Sequence, residues 1–206
     1  MNHKIVALSA WLLVLTAVAS ADPGMDAYNA EDYAKALALW KPLADQGNAE
    51  AQYGMAMLYD EGYGVPRDET QAIFWYRKSA AQGYAAAQYN LGVAYDEGEG
   101  VPQDKAKAVE WYRLAANQGD VDAQYNLGVS YDDGEGIAED NAEAAKWYRK
   151  AADQGDADAQ FALGELYQKG DGVPADINQA KAWYKKAADQ GSEDAESALE
   201  ELEGDD

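Results

Sequence analysis

The chain contains no cysteine and only one histidine, His3. Disulfide bonds and cysteine nucleophiles are therefore excluded, and the usual zinc ligands are almost wholly missing. Four serines follow the N-terminal segment, and none begins the S-x-x-K motif of serine acylation: Ser79, Ser130, Ser192 and Ser197. Carboxylate chemistry such as a glycosidase pair remains open, but acidic residues are so numerous that no single pair stands out.

Basic residues are also scarce. The 206 residues include 16 Lys and Arg against 38 Asp and Glu, which gives a formal net charge of −22. This balance argues against nucleic acid as a partner, because its phosphates would be repelled, and it disfavours an anionic membrane surface. Cationic partners would be attracted by the same field. A solvated acidic surface that keeps the protein soluble is the simpler interpretation, and it stays open.

The N-terminus joins a short basic stretch, MNHK, to a fifteen-residue apolar run, IVALSAWLLVLTAVA. Ala19-Ser20-Ala21 follows, and this small-x-small pattern precedes a signal peptidase cut. The run is short for a spanning helix, which needs about 20 residues. We therefore predict a signal peptide over residues 1–21 and a periplasmic or secreted mature chain that begins at Asp22. An anchor that remains uncleaved is the alternative.

Removal of residues 1–21 takes away His3 and Lys4. The mature chain then carries 15 basic and 38 acidic residues, a formal charge of −23, and no histidine. No cysteine follows the apolar run to carry a lipid anchor, so we predict no membrane insertion after cleavage.

Internal repetition at a period of 36 residues is the strongest feature of the sequence. Glycine recurs at this spacing from Gly47 to Gly191, and tryptophan recurs from Trp75 to Trp183. A fixed period of this length indicates a stacked array of small units. We predict four units: 48–83, 84–119, 120–155 and 156–191. They are flanked by an N-terminal capping helical segment, 22–47, and by a C-terminal capping helix with an acidic tail, 192–206.

Each unit contains two stripes of apolar or small residues at helical spacing. In the second unit, Ala87, Leu91, Ala94 and Tyr95 form the first stripe, and a second runs through residues 108–116. The sequence therefore predicts an all-α fold with two helices per unit. Three repeated glycines interrupt the first stripe, and close approach of a neighbouring helix would explain them: Gly92, Gly128 and Gly164.

The tryptophans lie on the second stripe of each unit. We predict that Trp111 and Trp147 are core residues, because neighbouring units flank both of them. Trp183, nearer the end of the array, is expected to contribute less to stability, since interfaces between neighbours carry the stability of repeat proteins.

The acidic segment between the two stripes, DEGEGVPQD in the second unit, raises the question of a metal site. It lacks the spacing of a calcium loop. Gly98 and Gly134 fall where a left-handed helix cap is needed, and Asp104 and Asp140 fall where the next helix begins. We therefore predict turns and caps and no metal site, with weak metal binding as the lesser alternative.

The segments AQYNLGVAYDEGEGVPQD and AVEWYRLAANQG together resemble the Sel1-like repeat, a relative of the tetratricopeptide repeat. The resemblance covers four full units and two partial ones. Small departures are Ala138 in place of the connection proline and Ala56 in place of the helix glycine. The resemblance implies an α-solenoid, a superhelix of antiparallel helix pairs whose first helices line a concave peptide-binding surface. One cysteine-rich branch of the family has been linked to β-lactam binding, which is not carried over because those cysteines are absent here.

By analogy with tetratricopeptide repeats, the resemblance also suggests which side chains face the groove. The core of the predicted site comprises four aromatics, two amides and two carboxylates: Tyr53, Tyr89, Tyr125, Phe161, Asn90, Asn126, Asp96 and Asp132. Further candidates along the same face are Met57, Val93, Val129 and Asp60. Aromatics and amides along an acidic groove suit a basic or polar extended chain. Alternatively, the tyrosines pack between helices and the asparagines only fill the surface.

The predicted function is that of a non-enzymatic scaffold of the cell envelope or secretome, which holds a protein or peptide partner in the groove. We predict no catalytic residues and no cofactor. The alternative is an exported carboxylate-dependent enzyme that acts on cell-wall material.

Overall fold

The computed structural model describes residues 22–204, which form eleven α-helices and no strand. The helices are α1 Pro23–Asn29, α2 Tyr33–Asp45, α3 Ala49–Glu61, α4 Glu69–Ala80, α5 Ala85–Glu97, α6 Lys105–Ala116, α7 Val121–Asp133, α8 Asn141–Asp153, α9 Ala157–Lys169, α10 Ile177–Ala188 and α11 Glu193–Gly204. The predicted signal peptide, residues 1–21, lies outside the described residues. None of the helices between residues 22 and 204 has the length and apolar character needed to cross a membrane.

Each helix packs against the helix before it and the helix after it. The pairs α3–α4, α5–α6, α7–α8 and α9–α10 form the four units, with α1 and α2 before them and α11 after them. Below, α3, α5, α7 and α9 are called the first helices, and α4, α6, α8 and α10 the second helices. The predicted all-α solenoid of stacked helix pairs is confirmed.

Local caps set the ends of the helices as the sequence indicated. Gly98 and Gly134 end α5 and α7 with φ of 82° and 68°, in the left-handed region that favours glycine. The Asp104 carboxylate accepts from the Lys107 backbone N at 3.1 Å, and the Asp140 carboxylate accepts from the Glu143 N at 3.0 Å. The acidic connection thus acts as turn and cap.

The glycine inside each first helix makes room for a tyrosine ring. A Cβ atom at Gly92 would lie 2.4 Å from Cδ1 of Tyr112, and Gly128 and Tyr148 repeat the arrangement. The sequence explained these glycines by the approach of a neighbouring helix, and the structure shows more specifically that an aromatic ring of the same unit covers them. Glycine in place of alanine inside a helix costs about 1 kcal/mol, and the close contact with the tyrosine ring offsets this cost.

A row of buried glutamines joins neighbouring units. The Nε2 group of Gln88 donates to the Ala80 carbonyl at 3.2 Å, and its Oε1 accepts from Gln118 at 2.7 Å. The stacking of units removes these amide groups from water, and buried amides need hydrogen-bond partners. The carbonyl group and the second glutamine provide these partners. The same donor and acceptor pattern recurs at Gln52, Gln124 and Gln160.

The tryptophans differ in burial, contrary to the equal core role expected for the middle units. Trp147 and Trp183 are 9% and 5% exposed, whereas Trp111 is only partly buried. The Nζ atom of Lys150 lies 3.5 Å from the Trp147 ring centroid, and Lys186 covers Trp183 at 3.6 Å. Trp111 has Leu114 at the equivalent position, and this leucine is 48% exposed. A missing lysine cover therefore accompanies the greater exposure of Trp111.

Asp22, the first described residue, stabilises the start of the array. Its carboxylate accepts from the Gly24 backbone N at 2.7 Å and from Nε1 of Trp40 at 2.9 Å. Trp40 is 1% exposed, so its indole N–H needs a partner inside the protein. The residue that follows the predicted cleavage position thus caps α1 and fixes a buried ring of α2.

Candidate functional site

The first helices present one continuous face of partly buried side chains, which we call the first-helix face. It is defined by Tyr53, Tyr89, Asn90, Tyr125, Asn126 and Phe161. Residues 36 positions apart, such as Tyr89 and Tyr125, occupy equivalent positions on successive first helices. All eight residues predicted for the site, these six with Asp96 and Asp132, are partly buried on the first helices.

The aromatic residues of this face both pack and remain partly accessible. Each ring contacts a tyrosine of the second helix in its own unit: Tyr53 with Tyr76, Tyr89 with Tyr112, Tyr125 with Tyr148 and Phe161 with Tyr184, at centroid distances of 5.9, 6.1, 5.8 and 5.5 Å. Burial raises the pKa of Tyr53 to about 12. The rings therefore pack between helices and remain partly accessible, and their role in binding a partner stays a prediction.

Asn90 is held by a hydrogen-bond chain that the sequence did not predict. Its Nδ2 donates to the hydroxyl of Tyr76 at 2.8 Å, and that hydroxyl donates to Oδ2 of Asp60 at 3.0 Å. Asn126 occupies the equivalent position beside Tyr112. The Asn90 amide is therefore oriented in advance, and its removal would also deprive the hydroxyl of Tyr76 of a partner.

Asp96 and Asp132 accept hydrogen bonds from the second-helix tyrosines. The Tyr112 hydroxyl lies 3.4 Å from Asp96 Oδ2, and the Tyr148 hydroxyl lies 3.3 Å from Asp132 Oδ2. Burial raises the pKa of the Asp132 carboxyl above its ordinary value. Its hydrogen bond to Tyr148 acts in the opposite direction and favours the charged form, as does the nearby charge of Lys169.

Charge is divided between the two sets of helices. The first helices carry ten acidic residues and a single basic one, Lys169. The acidic residues are Glu50, Asp60, Glu61, Asp96, Glu97, Asp122, Asp132, Asp133, Asp158 and Glu165. The second helices carry four acidic residues and eleven basic ones, and the basic ones are Arg77, Lys78, Lys105, Lys107, Arg113, Lys146, Arg149, Lys150, Lys181, Lys185 and Lys186. This separation directs the electrostatic attraction for cations to the side of the first helices.

Several second-helix basic groups already have partners within the chain. Arg77, Arg113 and Arg149 donate to the hydroxyls of Tyr95, Tyr131 and Tyr167 at 2.9, 3.0 and 2.6 Å. Each of these bonds links a second helix to the first helix of the next unit. The arginines therefore connect units.

The sequence missed three side chains that lie beside the predicted ones. A cavity lies where α3, α4 and α5 meet, which we call the first junction. It is lined by Tyr76, Glu69 and Glu99 together with Asp60, Tyr89 and Asn90. A comparison of positions 36 apart could have singled out Glu69, because the equivalent position in the next unit is Lys105. In the part of the chain that the structure describes, no group of three or more acidic side chains is arranged to hold a metal ion.

Comparison with known protein families identifies the repeats. The profile of the Sel1 repeat matches five segments, residues 29–48, 49–84, 85–120, 121–156 and 157–192. No curated protein matches the sequence significantly.

Solved structures of bacterial proteins are similar to this chain. A Sel1 repeat protein from Oxalobacter formigenes is 38% identical, with a TM-score of 0.81, over 85% of this chain and 72% of its own. The uropathogenic Escherichia coli protein c5321, described as a protective antigen with an SLR fold, is 47% identical over 76% of this chain, with a TM-score of 0.74. Helicobacter pylori cysteine rich protein B is 28% identical, with a TM-score of 0.51, over 65% of this chain and 96% of its own.

The alignment with c5321 covers only 33% of that longer protein. The repeats themselves are matched throughout residues 29–192, which is well over half of the chain. The chain belongs to the Sel1 repeat family.

Proposed function

We propose that this protein is an exported, non-enzymatic scaffold that binds a basic or polar segment of a protein partner along the first-helix face. Sel1 repeats generally serve protein–protein interaction. The observation that carries the proposal is the charge division: ten acidic residues and one lysine on the first helices. A cationic segment would be attracted to this face and repelled by the basic second helices.

The side chains of the face supply the contacts that an extended chain requires. The accessible edges of Tyr89 and Tyr125 offer apolar area with little loss of conformational entropy. Asn90 and Asn126 carry amides that can both donate to and accept from a peptide backbone. Their equivalent positions, 36 residues apart, favour a ligand that contacts several units in succession.

The test of this function uses an isosteric change of charge. We expect the combined Asp96→Asn and Asp132→Asn substitutions to weaken capture of the main partner about threefold to tenfold, since two ion pairs are lost. Asparagine can still accept from the hydroxyls of Tyr112 and Tyr148, so the thermal midpoint should hardly change. The measurement is capture from a crosslinked native envelope extract at several salt concentrations, where the wild type should lose more yield with salt than the variant.

The matched control for this test is Asp153→Asn combined with Asp189→Asn. These exposed residues are also 36 apart, and they lie at the ends of α8 and α10. The control changes the net charge by the same amount on the second helices and should capture the partner at wild-type yield. Equal loss in both double variants would mean that net charge alone decides capture, which contradicts the proposed face.

Export is tested separately through the mature N-terminus. We expect the intact mass of protein from the exported fraction to correspond to a chain that begins at Asp22, because Ala19 and Ala21 satisfy the small-residue rule of signal peptidase. Such a cut would retain the carboxylate that caps α1 and binds Trp40. Recovery of a species that begins at Met1 and remains in the membrane fraction would contradict the expected cleavage.

A further inference from the structure

A partly open cavity of about 190 Å³ lies at the first junction, where α3, α4 and α5 meet. Its wall carries three carboxylates, those of Asp60, Glu69 and Glu99. The rings of Tyr76 and Tyr89 line the same cavity. The cavity therefore combines aromatic surface with several negative charges.

The next junction shows what this arrangement can hold. The residues 36 positions further along are Asp96, Lys105 and Glu135, and here a lysine stands in place of the middle carboxylate. Nζ of Lys105 donates to Oε2 of Glu135 and lies 4.0 Å from Oδ1 of Asp96. Its hydrogen bond with Glu135 raises the pKa of Lys105, so the ammonium form is favoured there. The protein thus places a primary ammonium between these two carboxylates.

The surroundings of the two junctions otherwise agree. Four cavity residues recur one unit later unchanged: Tyr76 as Tyr112, Tyr89 as Tyr125, Asn90 as Asn126 and Val93 as Val129. Ala94 recurs as Ser130, an uncharged residue whose hydroxyl donates to the Asn126 carbonyl at 2.8 Å. The main chemical difference between the two junctions is therefore that Glu69 stands at the first where Lys105 stands at the second. The first junction keeps the two outer carboxylates, gains a third and lacks the ammonium at that position.

The contacts of the three carboxylates leave room for a cation. Asp60 accepts from the hydroxyl of Tyr76, and Glu69 forms an exposed ion pair with Arg67 at 3.3 Å, which is a weak interaction in water. Within the described residues, 22–204, the Glu99 side chain forms no hydrogen bond or ion pair. Among these described residues, acidic groups do not converge as metal ligands would. A larger cation with an aliphatic stem fits better, because rings can cover the stem while carboxylates bind the charge.

We propose that the first-junction cavity, lined by Asp60, Glu69 and Glu99, is a receptor site for a protonated primary amine, the side chain of a lysine on the protein partner. Lys105 is the chain's own counterpart of this ligand at the second junction. The proposal rests on the proposed function, since it assigns a lysine of the partner to one point of the first-helix face.

The direct test titrates ¹⁵N-labelled protein with Nα-acetyl-lysine amide and follows the side-chain amide of Asn90 by NMR. We expect a saturable shift with a dissociation constant on the order of 1 mM, as is reasonable for one small charged ligand. Nα-acetyl-norleucine amide has the same stem without the charge and should cause no saturable shift. Equal shifts with both probes would show that the carboxylates do not select the amine.

Exchange of the two junction residues gives the decisive pair of variants. Glu69→Lys should fill the cavity with its own ammonium, as Lys105 does, and weaken binding of the lysine probe at least about tenfold. Lys105→Glu should create a second site, with new saturable shifts at the Asn126 amide. Glu110→Lys makes the same change in net charge at an exposed position of α6 and should bind the probe as the wild type does. Wild-type affinity in Glu69→Lys, or no response at Asn126 in Lys105→Glu, overturns the site.

Two further measurements separate the possible failures. Glu69→Gln keeps the shape of the side chain and should weaken binding of the lysine probe severalfold. This variant keeps the test valid if Glu69→Lys fails to fold. Glu69→Lys should also lower capture of the native partner. If it loses the probe and captures the partner at wild-type yield, the cavity binds a free amine and the assignment to a partner's lysine is wrong. The probe titration tests the cavity without any partner. The Asp96→Asn and Asp132→Asn double variant tests partner capture and leaves this cavity unchanged. Failure of the scaffold function can therefore be told apart from failure of the amine site.

Discussion

Trp147→Ala is expected to lower the free energy of unfolding by about 3–5 kcal/mol, the range for a large aromatic removed from a core. The Trp147 ring is 9% exposed and packs into a cluster with Leu127 of its own unit and with Ala108 and Tyr112 of the preceding unit. The residue therefore joins one unit to the one before it. Loss of the ring removes an interface as well as buried area, and stability of a repeat array depends on such interfaces.

The matched comparison is Trp111→Ala, for which we expect a smaller loss of about 1–3 kcal/mol, because this ring is only partly buried. Trp183→Ala should resemble Trp147→Ala. Although it is nearer the end, its ring is 5% exposed and packs back onto the cluster of Ala144 and Tyr148. Urea denaturation of the three variants at one pH measures these differences. Equal losses below 1 kcal/mol at all three positions would show that the tryptophans do not hold the units together.

Gly136→Ala is expected to lower the free energy of unfolding by about 2–5 kcal/mol, from two separate causes. Gly136 has φ of 72°, where an L-residue with a side chain is strained by about 1–2 kcal/mol. A Cβ atom here would also lie 2.3 Å from the backbone oxygen of Lys105, and relief of such an overlap costs about 1–3 kcal/mol or more. Backbone cannot move aside as the tip of a side chain can, so the connection would be pushed away from α6.

Gly119→Ala separates the two causes. Gly119 also has positive φ, 96°, but a Cβ atom there would meet nothing within 4 Å. We expect a loss of only about 1–2 kcal/mol, due to the backbone strain alone. Chemical denaturation of both variants, with circular dichroism to verify helix content, provides the comparison. If Gly119→Ala were as damaging as Gly136→Ala, close contact between the connection and the preceding unit would not be the cause.

The residues of the candidate site could be predicted from the sequence, but the hydrogen bonds between them could not. Tyr89, Asn90 and Asp96 follow from the repeat and from the family's groove. The bond from Asn90 to Tyr76 joins residues 14 positions apart on different helices, and Tyr76 carries no sequence signal for this role. The cavity residue Glu69 was missed because a single acidic residue at a helix start is ordinary, and it becomes informative only beside its structural equivalent, Lys105.

The sequence by itself determined the all-α repeat, the helix positions and the caps. These features depend on contacts between residues three or four positions apart, on the φ angle of Gly98 and on the short reach of the Asp104 carboxylate, all of which are local. The tertiary structure alone decided that Trp111 is less buried than Trp147 and that three carboxylates line the cavity at the first junction. Those properties depend on the angle and distance at which successive helix pairs stack, which brings together side chains 30 or more residues apart, and no local spacing encodes them.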